Sequence, residues 1–547
     1  MDTRDPDLDR FDSRRPTVYA SEGVVATSQP LAAEAGRELL REGGNAFDAA
    51  VATAAALNVV EPTSTGLGGD VFAMFRTADG EVGAMRASGG APEGATRERV
   101  REAVADGDDS VDPAEAEMPV HGPHAVTVPG TARGWEATVQ EYGRRTLADA
   151  LQPAIRYATD GYPVTEVVAA QWEHGEDLFT DDHAREAYLF GGHSPSVGQT
   201  VRLPALGETM ERIAEEGADV VYEGDIAEAI AEEVQAKGGF MTVDDLAGFE
   251  VEWPEPLSTT YNGVEVFELG PHNQGQVALE ALNIAEETGA GDHPYDTPER
   301  VHAFAEALKV AFHDGHHYIT DPDYEDVMAL HEKSYARERA ALVGEEALTD
   351  VDVGTPGAVG EDADTVLLTV ADSEGNVVSY INSRYMGFGS GLVAGETGIA
   401  LQNRGASFSL NPEDPNRLEP GKRPFHTLVP GLAHFGADAG RADWAAFGVM
   451  GGYMQPQGHL QTLANIIDYD MPVQAALDAP RWRYREDGAL AIEDRFPRGV
   501  APKLARKGHE VRVEPPLQFG GAQLARYDEG NLSGATEPRK DGQVAPY

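Results

Sequence analysis

Apolar and polar positions alternate most cleanly just after residue 364. Val366, Leu368 and Val370 interleave with Thr365, Leu367, Thr369 and Ala371, the period-two pattern of a strand. Asp372–Asn376 (DSEGN) reads as a polar turn and Val377–Ile381 as a return strand, so Asp364–Gly395 opens with a β-hairpin. The preceding residues 351–364, VDVGTPGAVGEDAD, are rich in Gly, Asp and Pro and read as exposed loop. Thr365 therefore stands where an accessible segment becomes a buried strand.

Elsewhere the pattern alternates between strand and helix. Residues 23–45 predict strand, turn and a helix stopped by Gly43-Gly44. The apolar run 48–60 reads as a buried core helix, too short and Ala-rich to span a bilayer. Between it and the next strand lies a turn with Gly66, Gly68 and Gly69. It has neither GxGxxG spacing nor a Walker lysine, so it reads as close backbone packing. Residues 124–164 predict a strand, a Pro-Gly turn and two helices, and 224–246 an amphipathic helix with a Gly-Gly stop. A strand pair and another helix follow over 255–282, and 301–318 carry Phe304, Leu308, Ala311 and Phe312 at helical spacing. The acidic stretch 104–119 reads as solvated loop. Gly451-Gly452 precede a helix expected from about Gly458 to Asp468.

Composition narrows the function classes. Lys+Arg 42 against Asp+Glu 93 give a net charge of −51, with the acids scattered along all 547 residues. Such a chain has an acidic, hydrated surface suited to high salt, where screening removes self-repulsion. It lacks the basic footprint of a nucleic-acid binder. Cys 0 excludes disulfides, thiolate catalysis and Cys–zinc sites. His313, His316 and His317 lack HExxH spacing and offer too few ligands, so no metal or other cofactor is expected. The first sixteen residues are charged throughout, with no apolar signal region, which predicts a cytoplasmic protein without membrane attachment.

Thr365 carries the candidate chemistry. Cleavage between Asp364 and Thr365 would give the threonine a free α-amine, which titrates near ~7.7–8.0 and can act as a general base. An N-terminal amine is a recognised way to activate a threonine hydroxyl. Read from the residues alone, Thr365 is more simply a strand-starting threonine. At the other end of the site, the bare N–H groups of Gly451 and Gly452, ahead of a helix, can point at one oxygen.

Three stretches, DTVLLTVADSEGNVVS, FGSGLVAGETGIALQNRG and PGKRPFHTLVPG, resemble the small-subunit half of the γ-glutamyltranspeptidase family. The order of elements before Thr365 resembles its large subunit. The resemblance implies a four-layer αββα sandwich of the N-terminal-nucleophile hydrolases (an α+β fold), made as one domain and cut into 1–364 and 365–547. It also implies that Thr365 is nucleophile, that Ser383 supports its hydroxyl, and that Gly451 and Gly452 hold the oxyanion.

Several positions depart from the family pattern. Ser383 stands for a Thr and Tyr385 for an Asn. If the strand continues regularly, Tyr385 shares the face of Ser383 and Arg384 points away. Arg404 and Ser407 replace a Gln and an Asp, and His426-Thr427 replace two serines. The arginine that takes the substrate α-carboxylate is missing from its usual place, leaving Arg86 as a shifted candidate. Arg404, with Lys422 and Arg423 near in sequence, is expected either to form a positive cluster for a substrate carboxylate or to pair with surrounding acids. These changes resemble the branch related to cephalosporin acylases and oxamate amidohydrolase. They imply hydrolysis of a γ-glutamyl or other small carboxylate-bearing amide, with an unprocessed, silent binding homologue as the alternative. The only other expected partnership is between the two processed chains.

Overall fold

The computed structural model describes residues 15–107, 112–327, 329–349 and 365–547. Asp364 and the loop before it lie outside them. Thirteen strands build two antiparallel sheets that stack face to face between helical layers. In chain order these are β1 (Val18–Ala20), β2 (Gly23–Thr27), β3 (Asp70–Arg76), β4 (Val82–Ala87), β5 (Leu257–Tyr261) and β6 (Val264–Glu268). Then come β7 (Val366–Asp372), β8 (Val377–Ser383), β9 (Gly431–His434), β10 (Asp443–Met450), β11 (Gly521–Asp528), β12 (Asn531–Thr536) and β13 (Gln543–Pro546). The six-stranded sheet runs β13-β2-β7-β8-β3-β4, and the seven-stranded sheet β1-β12-β11-β10-β9-β6-β5.

The alternation after Thr365 has a direct structural meaning. Val366, Leu368 and Val370 face the helices, whereas Leu367 and Ala371 face the other sheet, where Leu432, Ala446 and Ala525 meet them. Every residue of β7 is buried because both of its faces are covered. The helices are α1 (Pro30–Arg41), α2 (Ala46–Val60), α3 (Thr131–Tyr142), α4 (Leu147–Asp160), α5 (Glu166–Gly175), α6 (Pro204–Glu216), α7 (Gly275–Glu287), α8 (Pro298–Tyr318) and α9 (Met454–Ile467). Helices α1 to α4 and α6 contribute to the core on the β7 side, and α7, α8 and α9 to the core on the β10 side. Helix α2 is buried along its whole length, and a reciprocal Asn45–Asp48 capping box starts it.

The glycine turn before β3 is a packing device, as expected: a Cβ on Gly69 would meet the Ser383 carbonyl at 2.4 Å, and one on Gly68 the Ala400 carbonyl at 2.4 Å. Three boundaries differ from the sequence pattern. Helix α9 begins at Met454, not near Gly458, because Pro456 sits in its first turn, where its missing N–H costs no helical bond. Residues 104–107 are not loop but end a helix over Arg97–Gly107. Strand β8 stops at Ser383, and Tyr385 takes a left-handed backbone with φ 82°. The chain therefore turns where a regular strand was expected.

Candidate active site

Antiparallel pairing brings the start of β7, the end of β8 and the start of β3 to one end of the sheet. Ser383 pairs with Asp70, and Asn382 with Val366. Thr365, the residue before β7, donates from Oγ1 to the Oγ of Ser383 at 3.3 Å, and is 3% exposed. The Ser383 hydroxyl also accepts the Tyr385 N–H at 2.8 Å. That bond fixes the turn after β8 and aims the Ser383 oxygen at Thr365. Arg384 points away, donating to the Pro62 carbonyl.

The opposite sheet supplies the glycines. Strand β10 ends at Met450, and Gly451 and Gly452 follow with φ of 114° and 54°, a pair of conformations open to glycine and strained for side chains. Their carbonyls accept from Met454, Gln455 and the Gln274 amide. No acceptor for either glycine N–H is present among the described residues. Helix α9 starts two residues on, so its positive end lies at the same place. Gly451 and Thr365 line one cleft of about 330 Å³.

Behind this cleft lies a fully buried polar cluster. Asp70 accepts from Gln402 at 3.0 Å and from His426 Nε2 at 3.0 Å, and stands 3.8 Å from Arg404. His426 Nδ1 accepts the Leu428 N–H, so the ring is neutral with its proton on Nε2. Burial, then the neighbouring Arg404 and Arg86, holds the His426 pKa well below the usual value. Burial also pushes the Asp70 carboxyl up to about 7, although Arg404 and Gln402 pull it down. Arg404 donates to Thr427 at 2.8 Å and its guanidinium lies 4.3 Å above the Tyr385 ring. Among the described residues its Nε and Nη2 have no hydrogen-bond partner, and neither do the hydroxyls of Tyr385 and Tyr453. Ser407 is turned inward, donating to the Arg404 carbonyl at 2.9 Å.

Arg404, Tyr385, Ser407, His426 and Thr427 are thus brought together, but they sit behind the open cleft and not on its wall. The expected positive cluster with Lys422 and Arg423 does not form. Lys422 donates to the Pro415 carbonyl, while Arg423 pairs with Asp321, Asp323 and Glu252. Sequence proximity failed there because acids from the earlier half claim Arg423 and a backbone carbonyl claims Lys422. Arg86 is also spent, on Glu252 and the Gly270 carbonyl, and does not reach the cleft.

Several residues at the site gave no signal in the sequence. Asp70 was hidden in the glycine turn, and Arg483 and Lys540 reach the cleft from loops far along the chain. A second buried cluster joins His302, Glu306 and His509 closely enough to hold a metal ion. Its ring nitrogens are already engaged in a chain: Lys309 to His509, His509 to His302, and His302 to the Gly344 carbonyl, with Lys309 2.7 Å from Glu306. His313 and His316 are half-buried and His317 exposed at the end of α8.

Two stacked antiparallel sheets between helices, with a threonine opening a central strand beside a glycine pair, define the N-terminal-nucleophile hydrolases. Residues 32–547 match the family described as Gamma-glutamyltranspeptidase, and the chain belongs to it. It is 36% identical to the Glutathione hydrolase-like YwrD proenzyme of Bacillus subtilis, over 96% of this chain and 98% of that one. It is 35% identical to the Oxamate amidohydrolase proenzyme of Klebsiella pneumoniae, over 96% and 99%. The crystal structure of cephalosporin acylase from Bacillus halodurans superposes with a TM-score of 0.88 at 43% identity, covering 100% of this chain and 99% of that one. The protein is an autoprocessing amide hydrolase of this family, and no helix among its described residues is long and apolar enough to cross a membrane.

Proposed function

We propose that cleavage of the Asp364–Thr365 bond divides the chain into 1–364 and 365–547 and that mature Thr365 is the acylating nucleophile. The observation that carries this reading is the Thr365 hydroxyl resting on Ser383 in a cleft shared with Gly451. The new α-amine takes the hydroxyl proton as Oγ1 bonds to the substrate carbonyl carbon. Gly451 and Gly452 N–H groups receive the oxyanion. As the C–N bond breaks, the proton passes to the leaving amine, and water then splits the ester and restores Thr365.

The substrate of this reading is a small amide whose acyl end carries a carboxylate. The unpartnered Nε and Nη2 of Arg404, with the Tyr385 and Tyr453 hydroxyls, are the donors such a group needs. Thr427, His426 and Ser407 hold that set in place. Arg86 braces Glu252 and Arg423 beneath it. Relatives named for glutathione, oxamate and cephalosporin chemistry bracket the choice. Hydrolysis is favoured over transfer, in a cytoplasm of high salt that suits the net charge of −51.

Intact mass with N-terminal sequencing tests the cleavage; two chains, one beginning Thr-Val-Leu-Leu, are expected. Turnover of glutathione, oxamate and glutaryl amides should then rank a carboxylate-bearing amide other than glutathione first. Efficient glutathione hydrolysis would overturn the claim of altered recognition.

A further inference from the structure

Gln274 is the last residue before α7 and is completely buried. Residues 272–274 run parallel to 426–428. The His426 N–H donates to the His272 carbonyl at 2.9 Å, and the Gln274 N–H to the His426 carbonyl at 3.2 Å. This pairing delivers the Gln274 side chain to the turn after β10. There its Nε2 donates to the Gly452 carbonyl at 2.9 Å and to the Thr427 carbonyl at 2.6 Å. Two carbonyl acceptors fix which end of the amide is nitrogen. The Oε1 is buried with no partner among the described residues. An unpaired buried acceptor is destabilising, so what the side chain contributes is its nitrogen.

A glycine turn needs outside support to hold one shape, because no Cβ restricts its backbone. In a trans peptide the N–H points opposite to the carbonyl of the same plane. The Gly451 carbonyl accepts the Met454 N–H at 2.9 Å, which aims the Gly452 N–H the other way. The plane on the far side of Gly452 is held through the Gly452 carbonyl. Gln274 shares that carbonyl with the Gln455 N–H, which lies at 3.2 Å. Gln274 therefore clamps the second of the two planes that set the Gly452 backbone. Its other hydrogen ties this turn to Thr427, whose hydroxyl accepts from Arg404 at 2.8 Å.

We propose that Gln274 is a positioning residue for the oxyanion donors, holding the Gly451-Gly452 turn in the shape that acylation requires. The assignment rests on the reading above, in which those two N–H groups receive the oxyanion. Gln274 touches neither substrate nor reacting atoms and acts through Gly452. Because the oxyanion exists only on the way to the acyl-enzyme, losing the clamp slows acylation and leaves substrate binding nearly unchanged. Gln274 precedes the 364–365 bond and Gly452 follows it. The chain that carries the nucleophile thus depends on the other chain for the set of its own oxyanion turn.

Acylation by 4-nitrophenyl butyrate tests this without calling on acyl recognition, since the activated ester has no carboxylate. On two-chain protein, rapid-mixing release of 4-nitrophenolate gives the acylation rate constant and the half-saturation concentration. Peptide mass spectrometry locates the butyryl group. Gln274→Met removes both donated bonds and should lower the rate constant about tenfold to a hundredfold, with half-saturation within about threefold. Gln274→Glu, kept protonated by burial, can still donate to one carbonyl and should fall in between. A rate constant unchanged in both variants, or a loss confined to half-saturation, would overturn the assignment. If Gln274→Met does not accumulate as two chains, Gln274→Glu is judged against wild type by the same two criteria. Wild-type protein that gains no butyryl group at Thr365 would overturn the nucleophile reading, and this assignment with it.

Discussion

Ser383 and Asp70 face each other across the last rung of the β8–β3 ladder. One rung therefore sets two distances: that from Ser383 to the Thr365 hydroxyl, and that from Asp70 to Arg404. The nucleophile and the buried charge pair behind it cannot shift independently without breaking the ladder. A carboxylate seated on Arg404 would be held in fixed register with Thr365, which is the geometric requirement for acyl transfer.

The first prediction concerns Thr365. Thr365→Ala should leave one chain by gel and mass, while Thr365→Ser is cut. Ser383→Ala should cut slowly and lose about tenfold to a hundredfold in kcat with a smaller change in KM, because only the support of the hydroxyl is removed. A two-chain Thr365→Ala protein would remove the nucleophile from this reading.

Gly451→Ala should lower kcat by about a hundredfold to a thousandfold. Its φ of 114° is strained for alanine, and the added methyl would lie 3.3 Å from the Gly520 Cα. Relaxing that strain swings the N–H away from the oxyanion. Single-turnover kinetics on processed protein would show it; unchanged acylation would place the oxyanion donors elsewhere.

The Asp70 carboxyl gives a pH dependence with a definite sign. Burial raises its pKa from 3.8 to about 7, so the folded protein keeps a proton that the unfolded chain releases. The stability this group contributes is complete below about pH 4 and is lost as pH rises through about 7. In denaturant titrations, wild type should lose more stability than Asp70→Asn between those limits. Parallel profiles would contradict this.

Arg404→Met should destabilise more above about pH 7 than below it, since only an ionised Asp70 is left buried without its cation. Adding Asp70→Asn should recover part of the loss. Activity toward a carboxylate-bearing amide should stay low in both, and full recovery in the double variant would mean Arg404 is structural only.

The net charge of −51 predicts strong salt dependence. Raising KCl from about 0.2 M to about 2 M should increase Tm by screening repulsion among surface acids. A flat response in thermal unfolding would argue against a high-salt cytoplasm.

How much of this was legible in the sequence depended on the range of the contact. The alternation through Val366–Ala371 is local and is a buried strand, and the doubled glycine at 451 takes backbone angles open to glycine. The left-handed Tyr385 was not legible, because a Cβ-bearing residue in that conformation is held there by Ser383 and Asn403 and not by its own preference. Asp70 and Arg404 lie far apart in sequence, and no periodicity links a turn acid to a distant arginine. Lys422 and Arg423 looked like partners of Arg404 through nearness alone, and acids of the earlier half claimed Arg423. Lys540 and Arg483 were invisible for the same reason: a cleft is assembled by the fold, not by spacing.

The strand order of the six-stranded sheet has one further outcome. Strands β2, β3 and β4 precede residue 365, and β7, β8 and β13 follow it, yet in space the two sets interleave as β13-β2-β7-β8-β3-β4. A break before Thr365 would therefore make two chains that are laced together like the fingers of folded hands. Every ladder bond survives, and pulling the pieces apart would mean unthreading the middle of a sheet. For this architecture a cut is a change of ends, giving the molecule a new amine while leaving it a single object.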